Sequence, residues 1–278
     1  MKVVHWPRRP LRHGLFLYVT LLAGVGAAGA LPSQANVFPD GLEIMHRVNL
    51  RARERASRAR QEITIRDAKR GDFHKTILVE RRRFAPAYRT IYRIAAPAHE
   101  SGMALLISED ASPPGMWMYF PLADQVVPIA TRGFPALATD FACEDLLASV
   151  PLSDYDFRTL GPVADEGGPA LQIEMTPRTE RLRSELGFAR ALGWVRTDIW
   201  MIVRAEYYDE KGVLFKGYRT ADIERVQGIW TARTLSMENY RAQHRTEVRV
   251  VDVDYSAYCP KELFVPNRMG AGGTCPPR

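Results

Sequence analysis

The sequence predicts a mainly β protein of the α+β class: an antiparallel sheet with a few helices. Three observations carry that prediction. Short apolar segments with two-residue alternation recur along most of the chain, as in Ile63 and Ile65 set between Glu62, Thr64 and Arg66. Turn-forming clusters of hairpin length separate them, among them Lys69-Arg70-Gly71-Asp72, Pro113-Pro114-Gly115, Gly167-Gly168-Pro169 and Asp209-Glu210-Lys211-Gly212. Strands and helical periods do not alternate as βαβ units would, which argues against a parallel sheet.

Residues 1–35 read as a secretory signal peptide rather than as fold. Lys2, Arg8, Arg9 and Arg12 give a basic start, an apolar run follows from Leu15 to Val25, and Ala28-Gly29-Ala30 or Ser33-Gln34-Ala35 supplies a small-x-Ala cleavage site. Cleavage is expected near Ala35, which puts the protein in the periplasm; an uncleaved membrane anchor is the alternative. Gly24-Val25-Gly26-Ala27-Ala28-Gly29 matches the dinucleotide fingerprint, but it falls inside this segment with no strand before it. The whole chain carries 38 basic and 32 acidic residues, and the remainder after residue 35 only 34 and 32. Without a concentrated basic surface, no nucleic-acid partner is expected. Residues 36–265 are read as a single domain and 266–278 as a tail containing Pro, Gly and Cys.

A helix opens the domain. Asp40 and Glu43 have capping-box spacing, and Leu42, Met45, Val48, Ala52, Ala56 and Ala59 form one stripe at helical period, interrupted by Asn49. The opposite side carries Arg51, Arg53, Arg55, Arg58 and Arg60, either a solvated face or one that meets an acidic partner or lipid head groups. Strands follow at Glu62–Arg66, Thr76–Glu80, Tyr88–Ile94, Met103–Ile107, Trp117–Phe120, Val126–Ala130, Leu171–Met175, Arg196–Tyr207, Val213–Tyr218, Arg233–Asn239 and Thr246–Val253. Met116-Trp117-Met118-Tyr119-Phe120 and the stretch around Trp200-Met201-Ile202 are apolar on both faces. Both sides of the sheet are therefore expected to be covered, by helices or by a hydrophobic cavity.

Catalytic signatures are missing. His46, His74, His99 and His244 have no metal-ligand spacing, and H-E-x-x-H, C-x-x-C, G-x-S-x-G and the P-loop do not occur. The expectation is a binding protein with no enzyme activity, no cofactor and no metal. Three cysteines remain, Cys143, Cys259 and Cys275. A Cys259–Cys275 bridge is left open, with Cys143 as a small buried apolar residue. In Thr139-Asp140-Phe141-Ala142-Cys143-Glu144-Asp145-Leu146, Asp140 is read as the N-cap of a short helix whose apolar side, with Phe141, Leu146 and the following Leu147, lids a hollow.

Three stretches carry a family likeness: "SGMALLISED" (Ser101–Asp110), "MWMYFPLADQVVPI" (Met116–Ile129) and "TDFACEDL" (Thr139–Leu146), with a weaker echo in "YYDEKGVLFK" (Tyr207–Lys216). The chain resembles the outer-membrane lipoprotein-sorting proteins, relatives of the periplasmic lipoprotein carrier LolA. The resemblance implies a LolA/LolB-like incomplete antiparallel β-barrel, a half-barrel with helices covering its concave face. It implies a carrier that binds acyl chains of a lipid or lipoprotein in envelope trafficking and outer-membrane biogenesis. The alternative is a non-transporting, lipid-sensing accessory domain that docks on an inner-membrane exporter of the resistance-nodulation-division (RND) type or on a regulator. A monomer is expected. The residues expected to line the cavity are Tyr92, Met103, Leu105, Trp117, Tyr119, Phe141, Leu146, Met201 and Val203, over an almost wholly apolar floor.

Overall fold

The computed structural model describes residues 38–51 and 54–276. The segment read as a signal peptide lies outside them, as does Arg53. The described residues form a 13-stranded antiparallel sheet that does not close on itself. Its strands are β1 (Ala56–Asp67), β2 (Gly71–Phe84), β3 (Ala87–Ala96), β4 (Ala104–Ser108), β5 (Gly115–Phe120), β6 (Gln125–Pro128), β7 (Tyr155–Val163), β8 (Ala170–Pro177), β9 (Arg190–Arg196), β10 (Met201–Tyr208), β11 (Leu214–Val226), β12 (Ile229–Asn239) and β13 (His244–Asp254). Each strand pairs with its sequence neighbour, except that β6 and β7 are the two free edges and β1 pairs with β13. That one non-local pair joins two meanders into one sheet. Bulges at Arg60/Gln61, Thr76/Ile77, Thr159/Gly161 and Ile202/Arg204 interrupt the register. Such bulges bend strands and sharpen twist, and they give the sheet its concave inner face.

Several elements depart from the sequence reading. The stretch read as one strand over Arg196–Tyr207 is a hairpin, β9–β10, turning at Thr197–Trp200, with Trp200 in the left-handed region at φ 50°. The residue that breaks the strand is an apolar tryptophan, so no Gly or Pro advertises the turn. Strand β7 and the helix α2 (Glu180–Leu186) went unread, although α2 has an ordinary cap: Thr179 Oγ1 accepts the Leu182 N–H at 3.1 Å. The first helix, α1, spans only Gly41–Asn49, so Arg51 and Arg55 lie beyond its end. Arg58 and Arg60 lie on β1, where strand pairing overrides the helical stripe. Asp40 is the backbone N-cap but makes no side-chain cap bond, and the Glu43 side chain pairs with Arg47 at 2.5 Å instead of reaching back to it.

Both faces of the sheet are covered, each by a different device. Alternation along β4 and β5 sends Leu105, Ile107, Met116 and Met118 inward and Leu106, Trp117 and Tyr119 outward. The outward set is roofed by residues 255–276. Phe264, Met269 and Cys275 are buried against it, and Cys259 and Cys275 are bonded. Outward polar groups of the sheet hold this segment by its backbone. Arg89 donates to Phe264 O at 3.2 Å, Arg93 to Met269 O at 3.0 Å and Arg58 to Cys275 O at 3.3 Å, while Glu80 accepts the Cys275 N–H at 2.6 Å.

Candidate functional site

The inner face holds the candidate site. The chain leaves the edge strand β6 at Pro128 and enters the opposite edge, β7, at Tyr155. Residues 129–154 therefore form a strap that crosses the concave side from one free edge to the other. Helix α1 lies beside it. Ile44 and Met45 pack on Ile173 and Val195, and a Cβ at Gly41 would stand 2.9 Å from the backbone carbon of Phe157, so only glycine lets the helix sit this close to β7.

Polar side chains of the sheet and α1 tie the strap down along its length. Lys75 Nζ donates to Leu137 O at 2.9 Å. Thr246 Oγ1 accepts the Asp140 N–H at 3.0 Å and donates to its carboxylate at 2.8 Å. Tyr92 donates to Leu146 O at 3.0 Å. Asp145 accepts from Lys216 at 2.7 Å and from Tyr207 at 3.1 Å, and it also takes the Ala142 N–H at 2.7 Å. Glu109 accepts the N–H groups of Ala148 and Ser149 at 2.9 and 3.1 Å. Asn49 closes the strap's far end with two bonds to Val150, at 2.9 and 2.8 Å. The residue that interrupts the apolar stripe of α1 is the one that binds the strap.

The TDFACEDL stretch sits in this strap. It forms a single 3-10 turn over Cys143–Leu146 rather than an α-helix, with Ala142 as N-cap. Asp140 does not cap it, because its carboxylate is bonded to Thr246; Asp145 supplies the acceptor at the turn's start instead. Glu144 takes the Gly133 N–H at 3.0 Å. Cys143 is fully buried, and burial, with Glu144 and Asp145 nearby, pushes its thiol up to about 12.

Between strap, helix and sheet lies a cavity of about 730 Å³, with an adjoining space of about 290 Å³ that shares Arg51, Arg81, Phe141 and Tyr218 as walls. The first volume falls within the range of small-molecule sites. Of the nine residues named from sequence, Tyr92, Phe141, Leu146 and Met201 line one or both spaces. Leu105 and Met103 are in the core packed beneath. Trp117 and Tyr119 are not in the cavity: they face outward under the C-terminal segment, where Tyr119 donates to Asp124 at 3.0 Å. Val203 packs with Trp194 and Ile199 away from the cavity wall. The segment around Trp117 is apolar on both faces, so period-two alternation pairs residues onto a face without saying which face is inner.

The floor is not almost wholly apolar. Val79, Val195, Ala205, Leu235 and Met237 give apolar walls, but Arg51, Arg81, Lys216, Tyr207 and Tyr218 reach the same space. Arg81 stands 3.6 Å from the buried carboxylate of Glu54 and donates to Thr90 at 3.1 Å. Burial lowers the Arg51 pKa, while for Arg81 burial is outweighed by Tyr92 and Glu54, which hold it above its ordinary value. Both remain cations at neutral pH. Burial likewise raises Tyr218, and burial with Asp145 beside it raises Tyr207, so neither phenol ionises near neutrality. Arg81, Lys216, Tyr207 and Tyr218 were missed by the sequence reading, and Arg51 was named there only as part of an outer basic face.

The fold so described is that of the LolA-type lipoprotein-sorting proteins. A putative outer-membrane lipoprotein-sorting protein domain from Vibrio parahaemolyticus superposes with a TM-score of 0.75 at 22% identity, over 83% of this chain and 98% of its own. A DUF1329 family protein from Desulfovibrio piger gives 0.73 at 21% identity, over 81% and 95%. A LolA superfamily protein from Nitrosomonas europaea gives 0.63 at 17% identity, over 81% and 97%. These likenesses define the fold, an open antiparallel half-barrel. In sequence, a "-like" family model whose description reads "Uncharacterized protein" matches residues 87–271, and the chain belongs to that family. No curated protein matches it.

Proposed function

We propose that the protein is a periplasmic carrier that holds the acyl chains of a lipid or lipoprotein beneath the strap. The observation that supports this most is the cavity of about 730 Å³ between the inner face of the sheet and the strap that covers it. Burial of a methylene contributes about 0.8 kcal/mol, so a 16-carbon chain fully enclosed would gain about 12 kcal/mol. A carrier that gained all of it would not release its cargo. Opening the strap breaks polar bonds, each worth about 1 kcal/mol net, and withdraws Leu137 and Phe141 from the inner core, a cost that offsets part of the gain. On this reading residues 1–35 are an export signal, the protein acts without catalysis or cofactor, and an exporter of the RND type is a candidate donor of cargo.

The test is to purify the protein from cells, extract it with organic solvent and analyse the extract by mass spectrometry. A stoichiometric lipid, and uptake of a fluorescent fatty acid by the stripped protein, are expected. No lipid and no uptake would sink the reading. A tight complex with a membrane protein but no lipid transfer between vesicles would favour the accessory-domain alternative.

A further inference from the structure

The cavity has a polar end as well as apolar walls. Arg51 and Arg81 both line the two adjoining spaces, and the carboxylate of Glu54 acts electrostatically on each. Arg51 donates to Trp230 O at 2.9 Å, a neutral partner. Arg81 shares Glu54 at 3.6 Å and donates to the neutral Thr90 hydroxyl. Glu109 is the other acid near Arg81. Its two oxygens already accept the strap N–H groups of Ala148 and Ser149 at 2.9 and 3.1 Å. The Lys216–Asp145 pair at 2.7 Å is self-compensating. Each guanidinium has five N–H donors, and the partners of Arg51 and Arg81 take only a few of them, so both arginines keep donors to offer to an oxyanion in the space they line. The phenol of Tyr218 lines both spaces beside them.

We infer that this end of the cavity is a head-group site for an anionic amphiphile, whose carboxylate or phosphate oxygens are held by Arg51 and Arg81 with the Tyr218 hydroxyl, while its acyl chain runs along the Val79–Leu235–Met237 wall. A planar guanidinium offers five N–H donors and suits either oxyanion. The inference rests on the carrier reading above, and it adds the class of cargo: an acid lipid rather than a neutral or cationic one.

The experiment is displacement of Nile red, a neutral apolar dye, from the purified protein by four ligands with the same 16-carbon chain: hexadecanoic acid, hexadecyl phosphate, hexadecanol and hexadecyltrimethylammonium. The acid or the phosphate should displace the dye at concentrations at least about tenfold below the alcohol, the size of effect a charged hydrogen bond gives. Arg51→Gln and Arg81→Gln should each shrink that gap to below about threefold, and Glu54→Gln, which removes the competing carboxylate, should widen it. Circular dichroism checks that each variant folds; Arg51→Gln and Glu54→Gln carry the test if Arg81→Gln does not. A stronger effect of the phosphate points to phospholipid-type cargo, and of hexadecanoate to free fatty acid; either supports the site. Equal displacement by acid and alcohol, or a preference for the trimethylammonium, overturns the head-group site while leaving the carrier reading standing. Failure of the dye and of every chain to bind overturns the carrier reading itself.

Discussion

Trp117 shows how much one residue's side of a strand decides. Its bulk and its Met neighbours suggested a cavity wall, yet it packs with Leu106 and Leu263 on the outer face. Trp117→Asp is therefore expected to act on stability, by about 3–5 kcal/mol, the usual cost of removing a large aromatic. Urea unfolding of the variant checks this. Phe141 and Tyr92, which the sequence also named, do reach the cavity, because their segments have one clearly apolar direction. Arg81 was invisible as a site residue and Arg51 was named only as part of a basic helical face, since nothing local distinguishes an inward arginine from a solvated one. Cys143 offers a cleaner probe. Its folded pKa of about 12 stands above the unfolded 9.0, so the neutral thiol stabilises the fold below about pH 9, and that contribution is lost as pH rises toward 12. At pH 8.5 iodoacetamide should label Cys143 only after unfolding, as mass spectrometry with and without urea would show; rapid labelling of native protein would mean the strap does not bury it.

At the scale of elements, the strap was read correctly as a cover and wrongly as a helix. Phe141 and Leu146 announced an apolar underside. The bonds that shape the segment come from Lys75, Glu109, Lys216 and Thr246, far away in sequence, and no local pattern encodes them. The hairpins were legible for the opposite reason, since alternation and turn residues are local. Glu109 gives the strap a pH-dependent tether. Burial sets its folded pKa above the unfolded 4.5, so folding favours its neutral form. That contribution is full below about pH 4.5 and is lost as pH rises through the folded value. Glu109→Gln cannot ionise and keeps one carbonyl acceptor. The variant should be less stable than the original, with a deficit that narrows between pH 4.5 and 7.5 in urea titrations. A deficit that widens over that range would show that the fold favours the ionised carboxylate.

The whole molecule is an open sheet whose two faces are closed by chain segments of different kinds. The inner face has the strap, tied by polar groups over a cavity. The outer face has residues 255–276, packed through Phe264 and Met269 and closed by the Cys259–Cys275 bond. The antiparallel class and the covered sheet followed from composition and period, whereas the β1–β13 pair that unites the two meanders is non-local and left no trace in the sequence. The disulfide, which spans 16 positions, constrains the unfolded chain by about 3 kcal/mol. Replacing both cysteines with serine should lower the urea midpoint accordingly and expose the outer patch to dye binding; an unchanged midpoint would show that the outer cover holds without it. The central claim is that the space under the strap takes an acyl chain. It is tested most directly by titrating a fluorescent 16-carbon fatty acid into the protein and into Ala205→Phe, whose new ring would enter the cavity from β10. The account predicts saturable one-to-one binding to the original, weakened at least about tenfold in a folded Ala205→Phe; equal binding by both proteins would contradict it.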